Sequence, residues 1–317
     1  MLGKNYFQVQ GQSVVIAGGS KGLGRELALQ LTSQGANVTI VARTAGPLEE
    51  TRKDLLTRVQ SPAQTITATA VDLTDVNAVE EFINSLESPP DILFCVAGGT
   101  ADEIGFFADI SARHVESCMA KNYFSAAYIA HAAFRRWVKE PPTPGSAAKR
   151  RHLIFTASTA AFLGLPGYAA YTPSKAATRA LADTLRQEAL LYTSQQDIKV
   201  HCSFPGTIYT DSFYSEQERK PALLKEMEGS ESNGGGLSAT KVAELTIKGL
   251  QAGQFFITMD MDTQLVMNNM RGPSPRDSWI WDWILGFLVS FVWPFYRMQF
   301  DRMTEKFGRN LHGGKKD

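Results

Sequence analysis

Between residues 13 and 258, short and almost unbroken apolar runs alternate with stretches of helical spacing. This alternation restricts the fold more than any other feature of the chain. Runs such as SVVIA (13–17) and DILFCV (91–96) have the length of a strand and no polar face. A strand of that kind must be covered on both sides, as in a parallel sheet between two helical layers. The pattern predicts strands at 13–17, 36–42, 65–71, 91–96, 152–156, 198–204 and 254–258. Helices are predicted between them at 23–33, 47–60, 76–86, 112–138, 171–193 and 240–251. The expected class is therefore α/β, a single doubly wound parallel sheet.

The chain has 317 residues, 44% of them apolar, enough for a substantial core. It divides by pattern into a catalytic domain over 1–265 and an apolar to amphipathic tail over 266–317. The formal net charge is zero, so nucleic-acid binding, which needs a basic excess, is not expected. Cys95, Cys118 and Cys202 have no metal-ligand spacing and are odd in number, which favours a reducing compartment and no metal site. The start, MLGKNYFQVQGQ, has no apolar h-region, so no cleavable signal peptide is expected. The glycosylation sequon Asn37-Val38-Thr39 falls in a strand-like apolar run and is read as chance. Residues 139–150 (KEPPTPGSAAKR) read as an exposed insertion, and the polar stretch 211–238, ending in Asn233-Gly234-Gly235-Gly236, as a mobile cover or loose loop.

The first strand runs into Gly18-Gly19-Ser20-Lys21-Gly22-Leu23-Gly24, and a helix follows. A strand that reverses tightly into a helix while its backbone approaches a pyrophosphate has no room for β-carbons. The free N–H groups and positive dipole end of the helix then face the phosphates. A glycine pattern alone is weak, but here it sits inside a βαβ unit, the context it requires. The second strand ends at Ala42-Arg43, eighteen and nineteen residues after Gly24, where NAD sites usually carry an acid. Arg43 and Lys21, with no acid, suit a 2′-phosphate, so NADPH is expected over NADH.

Tyr171-Thr172-Pro173-Ser174-Lys175 opens a helix, and the four-residue separation puts Tyr171 and Lys175 on one face. Reduction of a ketone needs a proton delivered to oxygen as hydride reaches carbon. An ammonium beside a phenol lowers its pKa toward the working range, so Tyr171 is expected to be acidified by Lys175. Ser158, thirteen residues upstream at the end of the strand HLIFT, could hold the carbonyl.

With these motifs in order, residues 10–260 resemble the short-chain dehydrogenase/reductase family, which implies a Rossmann-type sheet. AGGSKGLG (17–24) is similar to its TGxxxGxG loop, with Ala17 in place of threonine. Asp72-Leu73 matches the acid that holds adenine, and Val96-Ala97-Gly98 the NAG turn, with Val96 replacing asparagine and a strand-stabilising contact thereby in question. Pro205-Gly206-Thr207-Ile208-Tyr209-Thr210 matches the segment that contacts nicotinamide. The resemblance implies Tyr171 as proton donor and Lys175 as holder of the nicotinamide ribose. It implies Ser158 as the group that orients the carbonyl, and Asn122 as keeper of a water in the proton relay. Relatives commonly pair through their long helices, so a homo-oligomer is expected.

The tail reads WIWDWILGFLVSFVWPF over 279–295. As a helix this run is about 26 Å long, short of the roughly 30 Å hydrocarbon core, and Asp282 and Pro294 weaken a simple span. Trp279, Trp281, Trp283 and Trp293 sit at its ends as interfacial aromatics do. Tyr296, Phe300, Met303, Phe307 and Leu311 then recur at helical spacing among Arg297, Arg302, Lys306 and Arg309. Residues 279–310 are expected to contact membrane lipid, the alternative being a helix packed over the substrate or a partner. Net-basic ends point to a cytosolic face. Within the family, the GGSxGLG loop, LGLPGYAAYTPSK and the apolar extension resemble the 3-ketodihydrosphingosine reductases of the endoplasmic reticulum, which implies a long-chain lipid ketone as substrate. A reductase of a steroid, retinoid or fatty-acyl ketone, and a non-catalytic NADPH-binding scaffold or sensor, remain as alternatives.

Overall fold

In strand β1 (Ser13–Ala17), Val14 and Ile16 enter one apolar cluster while Val15 and Ala17 enter a second on the other face of the sheet. Strand β4 (Ile92–Cys95) repeats the division, with Ile92 and Phe94 on one side and Leu93 and Cys95 on the other. Successive side chains of a strand point to opposite faces, so unbroken apolar runs build two cores at once. The computed structural model describes residues 5–141, 148–229 and 235–313.

The first half continues through α1 (Gly22–Ser33), β2 (Asn37–Ala42), α2 (Ala45–Leu56), β3 (Ile66–Ala70) and α3 (Val76–Ser85) to β4. After it come α4 (Ala112–Met119), a π-helical turn (Ala120–Phe124), α5 (Ser125–Lys139), β5 (Lys149–Thr156), α6 (Tyr171–Ala189) and β6 (Gln196–Phe204). The remainder comprises β7 (Thr207–Tyr209), α7 (Asp211–Gln217), α8 (Ala222–Glu228), β8 (Gly236–Ser238), α9 (Ala239–Gln251), β9 (Phe256–Thr258), α10 (Met261–Met270) and α11 (Trp279–Gly313). Seven strands form one sheet in the order β3-β2-β1-β4-β5-β6-β9, every adjacent pair parallel. The order reverses between β1 and β4, which opens a crevice at their carboxyl ends.

The structure revises several expectations. The helix expected over 112–138 is interrupted by the π turn, which turns Asn122 inward to 1% exposure. The stretch 211–238 is not a plain loop: it holds α7 and α8, and β8 pairs with β7. Thr210 starts α7 by accepting the Phe213 N–H at 3.3 Å. The Asn233-Gly234 end of that stretch and residues 142–147 of the expected insertion lie outside the described residues. Helix α10, absent from the sequence reading, spans the expected division at 265/266 and is capped by Asp260, which accepts from Thr263 N at 2.7 Å.

The tail is one continuous helix, with Pro294 inside it, rather than an apolar run followed by a separate amphipathic segment. The Leu311 side chain lies outside the described residues. Asp282 does not face the apolar surroundings. It pairs with the fully buried Arg271 and accepts from the backbone N–H groups of Asp277 (3.0 Å) and Ser278 (3.2 Å), so it ties the start of α11 to the body. Gly286 lets the helix approach α10 closely, since a β-carbon there would stand 3.1 Å from the Asn268 carbonyl oxygen. Away from this contact, Trp279, Ile280, Trp283, Phe287, Phe291 and Phe295 are each more than half exposed. By length and composition, Trp279–Asn310 could cross a membrane.

Candidate active site

The glycine loop between β1 and α1 lies beside the crevice. Gly18 has φ 95°, and a β-carbon on it would stand 2.5 Å from Ala97 N, past the end of β4. One on Gly24 would stand 2.0 Å from the Gly18 carbonyl oxygen. Side chains at either position would force the turn open. Lys21, the residue before α1, is extended and its side chain caps no N–H group of the helix, which suits a helix end that takes phosphate.

A cleft of about 450 Å³ there is lined by Gly18, Arg43, Asp72, Leu73, Ala97 and Gly98 among others. Six residues expected from sequence to hold the cofactor thus meet around one space the size of a small-ligand site. Asp72 accepts from the Thr74 hydroxyl (2.7 Å) and N–H (2.9 Å), which lowers its pKa, with a smaller contribution from the Arg43 charge. Glu103, paired with Lys121 at 2.6 Å, also lines the cleft and was not singled out from sequence. Val96 leaves the turn after β4 intact: its own N–H and that of Ala97 both donate to the Ala17 carbonyl at 2.8 Å. Thr210 faces the glycine loop, its Cγ2 lying 3.3 Å from where a Gly22 β-carbon would sit. Glycine cradle, helix end and cleft together fit a nicotinamide dinucleotide.

The expected catalytic residues converge on the far side of this cleft. Lys175, only 3% exposed, donates from Nζ to the Thr156 carbonyl at 3.0 Å, and Nζ lies 5.6 Å from the centre of the Tyr171 ring. Ser158 starts a 3₁₀ turn, accepting from Ala160 N at 3.2 Å, and hydrogen-bonds the Tyr171 phenol. Asn122 clamps the chain after Gly98: its Oδ1 accepts from Gly99 N at 2.8 Å, and its Nδ2 donates to Gly99 O at 2.9 Å and Cys118 O at 3.0 Å. A β-carbon on Gly98 would stand 2.6 Å from Asn122 Oδ1 and 3.3 Å from Lys175 Nζ, so both polar groups flank that glycine.

One electrostatic expectation is corrected. Tyr171 is not acidified; its phenol is pushed above the ordinary value, first by removal from water, against which the Ser158 hydrogen bond works, and further by the charge of Glu216. Lys175 bears the complementary shift, lowered to about 8 by burial. Desolvation disfavours charge on both groups and is the largest cause of each shift. At neutral pH the pair therefore rests as a neutral phenol beside an ammonium. That is the protonation state a reduction starts from.

The α7–α8 segment brings charges that the sequence reading missed. Glu216 accepts from the Thr100 N–H at 3.3 Å and from its hydroxyl. Lys220, 5% exposed, pairs with Glu228 at 2.5 Å and with Glu216 at 3.7 Å. Tyr168 donates to Glu228 at 2.5 Å, and its ring lies 5.2 Å from that of Tyr171. The i, i+4 spacing of Glu216 and Lys220 was the available signal. Beside this cluster a cleft of about 630 Å³ runs between Gly164–Pro173, Met227 and the Arg297–Glu305 stretch of α11.

Known proteins share these features. The short chain dehydrogenase family model matches residues 12–221. A 3-ketodihydrosphingosine reductase of Aspergillus fumigatus is 37% identical over 91% of this chain and 82% of its own length. One of Neurospora crassa is 34% identical over 92% of this chain and 81% of its own. In Schizosaccharomyces pombe, a PIGF/3-ketodihydrosphingosine reductase fusion protein is 34% identical over 96% of this chain, which spans 59% of that longer protein. Among solved structures, a short chain dehydrogenase from Bacillus anthracis superposes with a TM-score of 0.61 at 23% identity, covering 78% of this chain and 95% of that one, a likeness of fold. With the parallel sheet, the glycine cradle and a family match over most of its length, the chain belongs to the short-chain dehydrogenases and is an oxidoreductase that uses a nicotinamide cofactor.

Proposed function

We propose that this chain is a membrane-associated, NADPH-dependent reductase that converts 3-ketodihydrosphingosine to dihydrosphingosine in sphingolipid synthesis. The observation that carries the reading is the convergence of Ser158, Tyr171 and Lys175 beside the glycine cradle, in a chain whose relatives bear that reductase name over more than nine-tenths of its length. Bound NADPH would supply the hydride.

The chain's own residues do the rest. Ser158 and the Tyr171 hydroxyl hold the ketone oxygen. As hydride reaches the carbon, the oxygen becomes an alkoxide far more basic than a phenolate, so a phenol with a raised pKa still gives up its proton. The Lys175 ammonium, held by Thr156, then stabilises the phenolate that is left. Asn122 fixes the Gly98–Gly99 backbone next to Lys175, and the family resemblance assigns it the water of the relay that returns the proton. The exposed cations Lys21 and Arg43, with no acid at the end of β2, support a 2′-phosphate and hence NADPH. The exposed apolar face of α11 supports a lipid surface, and the cleft that its Arg297–Glu305 stretch shares with Tyr168 supports a lipid substrate. Basic residues at both ends of the apolar run, Arg276 and Arg297 among them, support a catalytic domain on the cytosolic side, and the likeness to 3-ketodihydrosphingosine reductases supports the endoplasmic reticulum as the membrane.

The test is NADPH oxidation by purified full-length protein in detergent micelles against a panel of ketones. The expected result is consumption with 3-ketodihydrosphingosine and formation of dihydrosphingosine. Consumption only with a steroid or retinoid carbonyl would move the substrate elsewhere, and NADPH binding with no consumption would make the chain a scaffold.

A further inference from the structure

Deep in the α7–α8 segment, beside the reacting centre, the charges do not balance. Glu216 and Glu228 share one ammonium, that of Lys220, whose Nζ also lies 5.5 Å from the Tyr168 ring centre and 5.4 Å from that of Phe213. Glu228 is well satisfied, with Lys220 on one oxygen and the Tyr168 hydroxyl on the other, each at 2.5 Å. Glu216 is not. Its Oε1 takes both donors of Thr100, while Oε2 has, among the described residues, only the Lys220 contact at 3.7 Å. Burial pushes the Glu216 carboxyl above its usual range, and the nearby Glu228 charge adds to that. A carboxylate left one cation short in such a place is costly unless a ligand brings the missing charge.

Two further observations point to a ligand. Thr100, which Glu216 holds, follows the Gly99 that Asn122 clamps beside Lys175, and the Tyr168 ring, bonded to Glu228, lies 5.2 Å from that of Tyr171, so the cluster borders the place where the carbonyl is held. The cleft of about 630 Å³ bordered by Tyr168, Thr172 and Met227 adjoins the same cluster, giving space for an extended molecule next to it.

We propose that Glu216, held by Thr100 and Lys220, is the counter-ion for a protonated amine on the carbon next to the ketone, and that it selects amino ketones over plain lipid ketones. The inference rests on the function proposed above, because 3-ketodihydrosphingosine carries such an amine. Glu216 thereby acts as a specificity residue that touches substrate, while Lys220 and Thr100 position it.

The experiment measures kcat and KM by NADPH oxidation for three chain-matched ketones: 3-ketodihydrosphingosine, its N-acetyl derivative, and the hydroxyketone with hydrogen in place of the amine. The wild type should have a KM at least about tenfold lower for the free amine than for the other two, as expected for one charge-assisted contact. Glu216→Gln, which keeps an acceptor for Thr100, should erase that preference by raising KM for the amine alone, and Glu216→Asp should restore part of it. NADPH binding, followed by fluorescence, should be the same in all three proteins. Equal losses on all three ketones would reduce Glu216 to a structural residue and overturn the inference. So would a wild type indifferent to the amine, a result that stands even if Glu216→Gln does not fold. A wild type that turns over the free amine without preferring it overturns the Glu216 assignment alone. No turnover of the free amine sinks the proposed function as well.

Discussion

Of the buried cations in this molecule, Arg271 and Lys175 have opposite surroundings. Arg271, between α10 and α11, is fully enclosed and meets Asp277 at 2.7 Å, Asp282, and Asn268 Oδ1 at 3.4 Å. Lys175, at the reacting end of the sheet, has the Thr156 carbonyl at 3.0 Å, and among the described residues no carboxylate reaches it within ion-pair distance. Where the task is to hold a helix in place, the charge is neutralised on the spot. Where the task is to stabilise charge that appears during a reaction, a carboxylate partner would cancel the field the reaction needs. The unbalanced charge at Lys175 therefore marks a working site, whereas the balanced one at Arg271 marks a joint.

The contrast can be broken first at the joint. Arg271→Ala leaves Asp282 buried beside no cation, which should cost about 3–5 kcal/mol. The loss should be visible as a lowered unfolding midpoint and as new protease sensitivity over residues 271–282. Arg271→Leu combined with Asp282→Asn should recover most of it. A loss below about 1 kcal/mol would mean that the pair does not hold α11.

At the reacting end the sign reverses. Lys175 has an ordinary value of 10.5 when unfolded and about 8 when folded. Between those values the unfolded chain binds more protons, so stability should rise with pH across that window, and below about 8 the charged lysine costs stability. Lys175→Met should therefore stabilise the cofactor-free protein at pH 7, by roughly 3 kcal/mol if the whole shift is recovered, while turnover is lost. The gain should fade by about pH 10. Melting curves of both proteins at the two pH values decide it, and a destabilised Lys175→Met protein at pH 7 would contradict the reading. The exposed Arg43 should show the smallest effect. Arg43→Ala is expected to raise KM for NADPH about tenfold and to leave NADH nearly unchanged, the scale of one ion contact. Equal changes for both cofactors would remove the 2′-phosphate assignment.

The same contrast explains what could be read from sequence. The sheet was legible because Val14, Val15, Ile16 and Ala17 have no polar neighbour to blur the pattern, and the cofactor cradle because only glycine fits at Gly18 and Gly24. Tyr171 and Lys175 were legible because helical spacing alone puts them together. Their protonation was not, because burial is a property of the packed site, and it reversed the expected direction for Tyr171. The cluster of Thr100, Glu216, Lys220 and Glu228 joins the chain after β4 to α7 and α8, more than one hundred residues on. No local period announces such a meeting. Asp282 showed in the sequence only as an acid in an apolar run, and its partner Arg271 lay beyond the pattern being read.

The central claim is that a neutral Tyr171 phenol delivers the proton, and a single-turnover experiment tests it most directly. Full-length wild-type and Tyr171→Phe proteins in micelles, each preloaded with NADPH, are mixed with 3-ketodihydrosphingosine, and the loss of NADPH absorbance is followed. The account predicts unchanged NADPH binding and a chemical step slowed by about 10²–10⁴-fold in the variant. A variant that consumes NADPH at the wild-type rate would contradict it.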